Sequence, residues 1–212
     1  MQPSIFIAIP NLGYIRTELS LTLFHWLTSG KYRLKIFMPM YVQPHHRARN
    51  VCHREFLKED YEWLLFIDSD CAPPVDGLDR LLSHNAEIVG GVVLTWKDGA
   101  PIPVALRKKG EGYAPHYGTR LEEVDVITMA FTLIHRSVLE ALPVGSFAWG
   151  DFPDGTDGLG EEFVFCERAR ERGFKIFCDY RLIVGHRKEI EIIEVNNALI
   201  KGARDGQPNF RR

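Results

Sequence analysis

An α/β domain with a mostly parallel central sheet flanked by helices is the architecture that this 212-residue chain predicts. Three observations lead there. Short apolar runs alternate with helix-period segments through the first half, the order that builds right-handed parallel units. Trp63 to Ile67 is continuously apolar, as suits a strand covered on both faces. The composition, 45% hydrophobic and 25% charged, is that of a globular domain with one substantial core.

Ser4 to Pro10 reads as the first strand. The turn signal Asn11-Leu12-Gly13 then opens a helix-period segment with Ile15, Leu19, Leu23, Trp26 and Leu27, closed by Gly30. Tyr32 to Met38 is a second strand. His45 to Glu59 is a second helix with Ala48, Val51, Cys52 and Phe56 on its apolar side. The third strand ends in Asp68-Ser69-Asp70, and Pro73-Pro74 starts a helix whose Val75, Leu78, Leu81 and Leu82 face inward. Glu87 to Leu94 forms another strand, broken by Gly90-Gly91.

From Thr95 to Thr119 no period holds, which predicts a long irregular excursion or a hairpin over one edge. Val124 to His135 returns as an apolar strand and runs into a helix over Arg136 to Leu142. Phe147 to Gly160, rich in glycine and aspartate, reads as a lid outside the core. A helix starts at Glu161-Glu162 and ends at Gly173, and the strand Phe174 to Val184 leads to Gly185-His186. Residues 1–188 are expected to form one domain, and residues 189–212 a helical tail that packs on it or extends from it.

The net charge of −2 argues against bulk attraction to nucleic acid or anionic lipid, although Arg204 to Arg212 is locally basic. Cys52, Cys71, Cys166 and Cys178 have no redox or metal spacing and suit small buried hydrophobes in a reducing compartment. The chain has no run of about 18 apolar residues and no apolar signal core, so a cytoplasmic location is expected.

The chemistry is expected at the carboxyl ends of the strands, where open α/β sheets bind ligands. Asp68 and Asp70 point the same way at the tip of a buried strand, and two anions so placed are stabilised by a divalent cation between them and a phosphate. The residues assign Asp70 to direct coordination, Asp68 to a ribose or a metal-bound water, and His186 to the remaining protein ligand. A shell of carboxylate, imidazole and phosphate suits Mn²⁺ somewhat better than Mg²⁺. Glu161 and Glu162 stand where a helix dipole favours acids whether or not they do chemistry.

Taken together, Arg49-Asn50, Asp68-Ser69-Asp70 with its Pro-Pro, Ile88-Val89-Gly90-Gly91, Phe131 to Arg136, Gly160-Glu161-Glu162 and Gly185-His186 resemble the GT-A fold glycosyltransferases, family-2-like members of the nucleotide-diphospho-sugar transferase superfamily. The resemblance spans about Ser4 to His186. It implies a donor that is a nucleotide-diphosphate sugar, UDP- or GDP-linked, and an acceptor that is a carbohydrate, a lipid carrier, a protein or a nucleic acid base. Pro10 and Asn11 would border the nucleotide, Arg49 would approach the donor nucleotide or its phosphates, and Asp68, Asp70 and His186 would hold the metal. The general base falls at Glu162, where the family commonly has Asp, with Glu161 as its rival; inversion at the anomeric carbon would follow, although the same fold also supports retention. Where many relatives place an acid after the second strand, this chain has Met38-Pro39-Met40-Tyr41.

Three other readings are weighed against it. A sugar-phosphate nucleotidyltransferase needs a glycine-rich basic loop after the first strand, and Asn11 to Arg16 is not one. A binding module without turnover would keep the same pocket. A haloacid-type phosphohydrolase needs a Thr shortly after the second Asp, where Cys71-Ala72-Pro73-Pro74 stands.

Overall fold

In the computed structural model the described residues are 2–97, 99–150 and 158–187, with residues 195 and 200. The chain order is β1 (Ser4–Ala8), α1 (Thr17–Thr28), β2 (Arg33–Phe37), α2 (His45–Leu57), β3 (Trp63–Ile67), β4 (Cys71–Ala72), α3 (Gly77–Ser83) and β5 (Ile88–Lys97). It continues with β6 (Ala100–Pro103), β7 (Ala105–Lys109), β8 (Gly112–Pro115), β9 (Leu121–Val124), β10 (Val126–Ile127) and β11 (Phe131–His135). Last come α4 (Arg136–Ala141), α5 (Glu161–Glu171) and β12 (Ile176–His186).

The main sheet runs β2-β1-β3-β11-β5-β12-β4, with β6 on β5 and β9 on β12. β1 is parallel to β2 and β3, and β5 is parallel to β12, while β11 runs antiparallel between β3 and β5. A mostly parallel sheet flanked by helices is what the sequence predicts, and such a sheet must be covered on both faces. Alternation along β1 shows how. Phe6 and Ala8 join one core with Cys52 and Phe56 of α2, Leu139 of α4 and Phe165 of α5, whereas Ile5 and Ile7 join the other with Leu19 and Trp26 of α1 and Leu78 of α3.

Several expectations are refined. Gly90-Gly91 does not break its strand; β5 runs through both. A side chain at Gly90 would meet the Thr132 hydroxyl at 2.5 Å and the Phe131 carbonyl at 2.8 Å, so the glycine permits close approach of β11. Val75 faces solvent ahead of α3, and only its carbonyl is engaged, by the Trp26 indole at 2.7 Å. The segment Thr95 to Thr119 is hairpin rather than irregular. β5 turns back into β6, and β7 and β8 form a second hairpin, with β10 on β7, in a separate three-stranded sheet. Val124 to His135 is not one strand. It is interrupted, and residues 128–130 form the connection into β11.

Of the expected lid, residues 151–157 lie outside the described residues, and so does nearly all of the tail 189–212. The lid's first residue is core, contrary to the sequence reading. Phe147 is fully buried, stacks on Phe165 at 4.4 Å and has both its backbone N–H and its carbonyl bonded by the Asn50 amide. Among the described residues no helix is long and apolar enough to cross a membrane.

Candidate active site at the carboxyl end of the sheet

The tip of β3 positions two groups of side chains on either side of Ser69. The Asp68 N–H donates to the Ala130 carbonyl at 3.0 Å, and the Cys71 N–H donates to the Asp68 carbonyl at 3.0 Å, so Asp68 and Asp70 lie in a turn clamped between β11 and β4. A cleft of about 210 Å³ opens there. Pro10, Asn11, Tyr14, Gln43, Asp68 and Asp70 are among its lining residues, as is His45, the first residue of α2. Asn11 lines the cleft, but its amide shapes its own loop: Oδ1 accepts the Gly13 N–H at 2.9 Å and Nδ2 donates to the Ile9 carbonyl at 3.0 Å.

The first group is a buried knot around Arg49, whose side chain is 3% exposed. Its Nη2 donates to Asp68 and its Nε to Glu161, each at 3.2 Å, and its guanidinium lies 5.4 Å from the centre of the Phe66 ring. Burial works against this charge, but Asp68, Glu162 and Glu161 outweigh it and hold the guanidinium above its ordinary pKa. These contacts place Arg49 beneath the cleft. Glu161 is buried against it.

Glu162, the next residue of α5, accepts a hydrogen bond from the Thr128 hydroxyl at 3.0 Å, and that hydroxyl in turn accepts the Ala130 N–H at 3.2 Å. Burial raises the Glu162 carboxyl above the usual carboxylate range; Arg49 opposes the shift, and the charges of Glu161 and Asp68 add to it. Three carboxylates therefore share one guanidinium. Thr128 carries no mark in the sequence that would distinguish it from a core threonine.

The second group is Asp70 with His186. β12 delivers the histidine because β4 pairs antiparallel with its end, Gly185 opposite Ala72 and His186 opposite Cys71. The Arg187 N–H donates to the Asp70 carbonyl at 3.0 Å and fastens the two segments. His186 Nδ1 lies 2.8 Å from the Leu94 carbonyl, so that nitrogen carries the proton, and Nε2 sits 3.4 Å from Asp70 Oδ2. An imidazole nitrogen faces a carboxylate, an arrangement stabilised by a proton or a cation between them. The side chains of His186 and Asp70 are 12% and 21% exposed. A carboxylate and an imidazole fixed in the ligating tautomer fit a divalent metal ion.

No family model and no curated protein sequence matches the chain. Among solved structures, A197 from STIV is similar at 19% identity and a TM-score of 0.61, over 88% of this chain and 86% of that one. S. aureus TarS 1–349 in complex with UDP-GlcNAc is similar at 12% identity and a TM-score of 0.50, over 99% of this chain and 68% of that one. At such identities the likeness is one of architecture. Together with the mostly parallel sheet and the site at its carboxyl edge, it gives this chain a GT-A-like fold.

Proposed function

We propose that the protein is a metal-dependent glycosyltransferase that takes a sugar from a nucleotide-diphosphate donor, UDP- or GDP-linked, and passes it to an acceptor hydroxyl. The observation that carries this reading is the meeting of Asp70, in the turn after β3, and His186, at the end of β12, 3.4 Å apart and remote in sequence. Asp70 also lines the cleft flanked by Pro10 and Asn11. The architectural likeness to TarS in complex with UDP-GlcNAc supports it.

Asp70 and His186 would hold the cation, with Asp68 at its edge toward the ribose or a bound water. A Mn²⁺ or Mg²⁺ ion held there would supply positive charge toward the departing diphosphate. Pro10 and Asn11 border the nucleotide. Arg49 acts as a positioning residue, because two of its nitrogens are committed to Asp68 and Glu161. Glu162 is the general base. Glu161 is neutralised by Arg49, whereas Glu162 is oriented by a hydroxyl and has a raised pKa, the condition that matches a base to neutral pH. It accepts the proton of the acceptor hydroxyl as that oxygen bonds to the anomeric carbon, and the bond to the diphosphate breaks with its electron pair leaving on the nucleotide. Attack from the face opposite the leaving group inverts the anomeric centre.

The test is release of nucleoside diphosphate from a panel of UDP- and GDP-sugars by the purified protein, with and without Mn²⁺, alongside Asp70→Ala. Metal-dependent release by the wild type and none by the variant is expected. Absence of binding and turnover across the panel would remove the reading, and pyrophosphate release from UTP and a sugar phosphate would replace it with a nucleotidyltransferase.

A further inference from the structure

We propose that Cys71 is a third protein ligand, as a thiolate, of the cation held by Asp70 and His186. The centre would then favour thiophilic divalent ions such as Zn²⁺ and Co²⁺ over Mg²⁺. The inference rests on the cation site proposed above and concerns what kind of ion that site selects. The sequence pattern of the cysteines gives no hint of it, because Cys71 acquires its partners only through the fold.

A carboxylate oxygen of Asp70, the sulfur of Cys71 and a ring nitrogen of His186 all lie within 4.8 Å of one another. Cys71 and His186 are directly opposed in the antiparallel β4–β12 pair. Opposed residues of such a pair project from the same face with Cβ atoms roughly 4.5–5.5 Å apart, so the thiol and the imidazole are neighbours by construction. Asp70 lies in the turn before β4, outside the strand's alternation, and the bond from the Arg187 N–H to its carbonyl brings it to the end of β12.

The imidazole is fixed by the Leu94 carbonyl, which leaves Nε2 as the ligating atom. Zinc binds sulfur at about 2.3 Å and nitrogen at about 2.0–2.1 Å, which puts tetrahedral ligands about 3.5 Å apart. Asp70 Oδ2 and His186 Nε2, 3.4 Å apart, already have that spacing, so the sulfur, within 4.8 Å, has to close by roughly 1 Å, a rotamer-scale movement. Coordination converts the thiol to thiolate and sends its proton to solvent. A carboxylate, an imidazole and a thiolate form a borderline-soft donor set, unlike the all-oxygen shell that Mg²⁺ prefers. Positions left open would serve the oxygens of the donor diphosphate.

Cys71 also packs in the core beside Leu19 and Val184. A purely structural cysteine would be equally well placed there, and the experiment separates the two roles. Metal-depleted protein is titrated with Co²⁺ in the presence of a nucleoside diphosphate, and the absorption spectrum is followed for wild type, Cys71→Ser and Cys178→Ser. A thiolate-to-cobalt charge-transfer band in the near ultraviolet is expected for wild type and Cys178→Ser and not for Cys71→Ser, which keeps the weaker visible cobalt bands. Competition should show Zn²⁺ affinity falling tenfold or more in Cys71→Ser, with Mn²⁺ affinity changing less.

Bound cobalt without the band in the wild type, or a band that survives in Cys71→Ser, overturns the role of Cys71 and leaves the transferase reading intact. Failure of cobalt to bind at all overturns the cation site and this inference with it. Should Cys71→Ser not fold, Cys71→Ala takes its place with the same expected loss of the band, and a cobalt-bound wild type without the band overturns the role by itself.

Discussion

Glu162 and Arg49 set opposite demands on the same small volume. A carboxyl whose folded pKa is raised favours the fold while protonated, and that contribution is lost as pH rises through the raised value. Once ionised, Glu162 is therefore a cost that Glu162→Gln removes. The variant should be more stable than wild type near pH 7, with the difference vanishing below the ordinary carboxylate range, as thermal melts across pH will show. Its turnover should fall by about 10²–10⁴-fold, the range for loss of a general base. The acid limb of the wild-type pH–rate profile should lie above that of an ordinary carboxylate. Arg49→Met leaves Asp68 and Glu161 without their cation, and removal of one partner of a buried pair costs about 3–5 kcal/mol, measurable by urea unfolding. The burial of Arg49 is legible after the fact. It lies one turn before Cys52 and His53, on the buried stripe of α2 that holds Ala48, Cys52, His53 and Phe56, but its charge invites a solvated or ligand-facing assignment.

At the level of elements, β12 depends on a displaced register. Asp179 pairs with Gly91 and Ile183 with Val92, so Tyr180, Arg181 and Leu182 form an irregularity before the strand resumes toward Gly185 and His186. Buried Asp179 stabilises it, accepting from the Arg181 N–H at 3.0 Å and lying 3.0 Å from both Arg80 and the His84 ring. Burial alone would raise the Asp179 carboxyl, but the Arg181 N–H, His84 and Arg80 together hold it below the usual value. Its contribution is thus present above the ordinary Asp pKa and lost as pH falls through the depressed one. Asp179→Ala should cost about 1–3 kcal/mol in chemical denaturation and weaken cation binding by disturbing the approach to His186. Gly90→Ala should cost about 1–3 kcal/mol or more in the same assay through the clash with Thr132 and Phe131. Sequence pattern finds α1 and α2 because each is long and has clear inward positions, and β1 and β3 because each is a continuous apolar run that ends in a turn signal. It does not reveal that Val124 to His135 is divided, since every piece is equally apolar and the divisions are set by pairing with β12, β7 and β3.

For the molecule as a whole, the residues of the proposed site come from α2, the turn after β3, α5 and β12, so binding should stabilise the entire fold. A nucleoside diphosphate with Mn²⁺ at 100 times its Kd adds about 2.7 kcal/mol. For a chain of this size that raises Tm by several degrees, at roughly 2–4 °C per kcal/mol. Neither component alone should do as much, and Asp70→Ala should abolish the joint shift in a thermal-denaturation assay. The strand order with β11 reversed between β3 and β5 is not readable from local pattern, whereas the gathering of acids and histidine at strand ends is, because that follows from parallel topology itself.

The backbone of Arg187 is tied to Asp70, and its side chain pairs with Glu18 at 3.2 Å. Ser4 opens β1 at the opposite pole of the sheet from the cleft. A fluorophore or purification handle placed ahead of residue 4 therefore sits far from the proposed reaction centre. One joined just after residue 187 would pull on the two segments of the proposed cation site, and would report or perturb capture of an ion there.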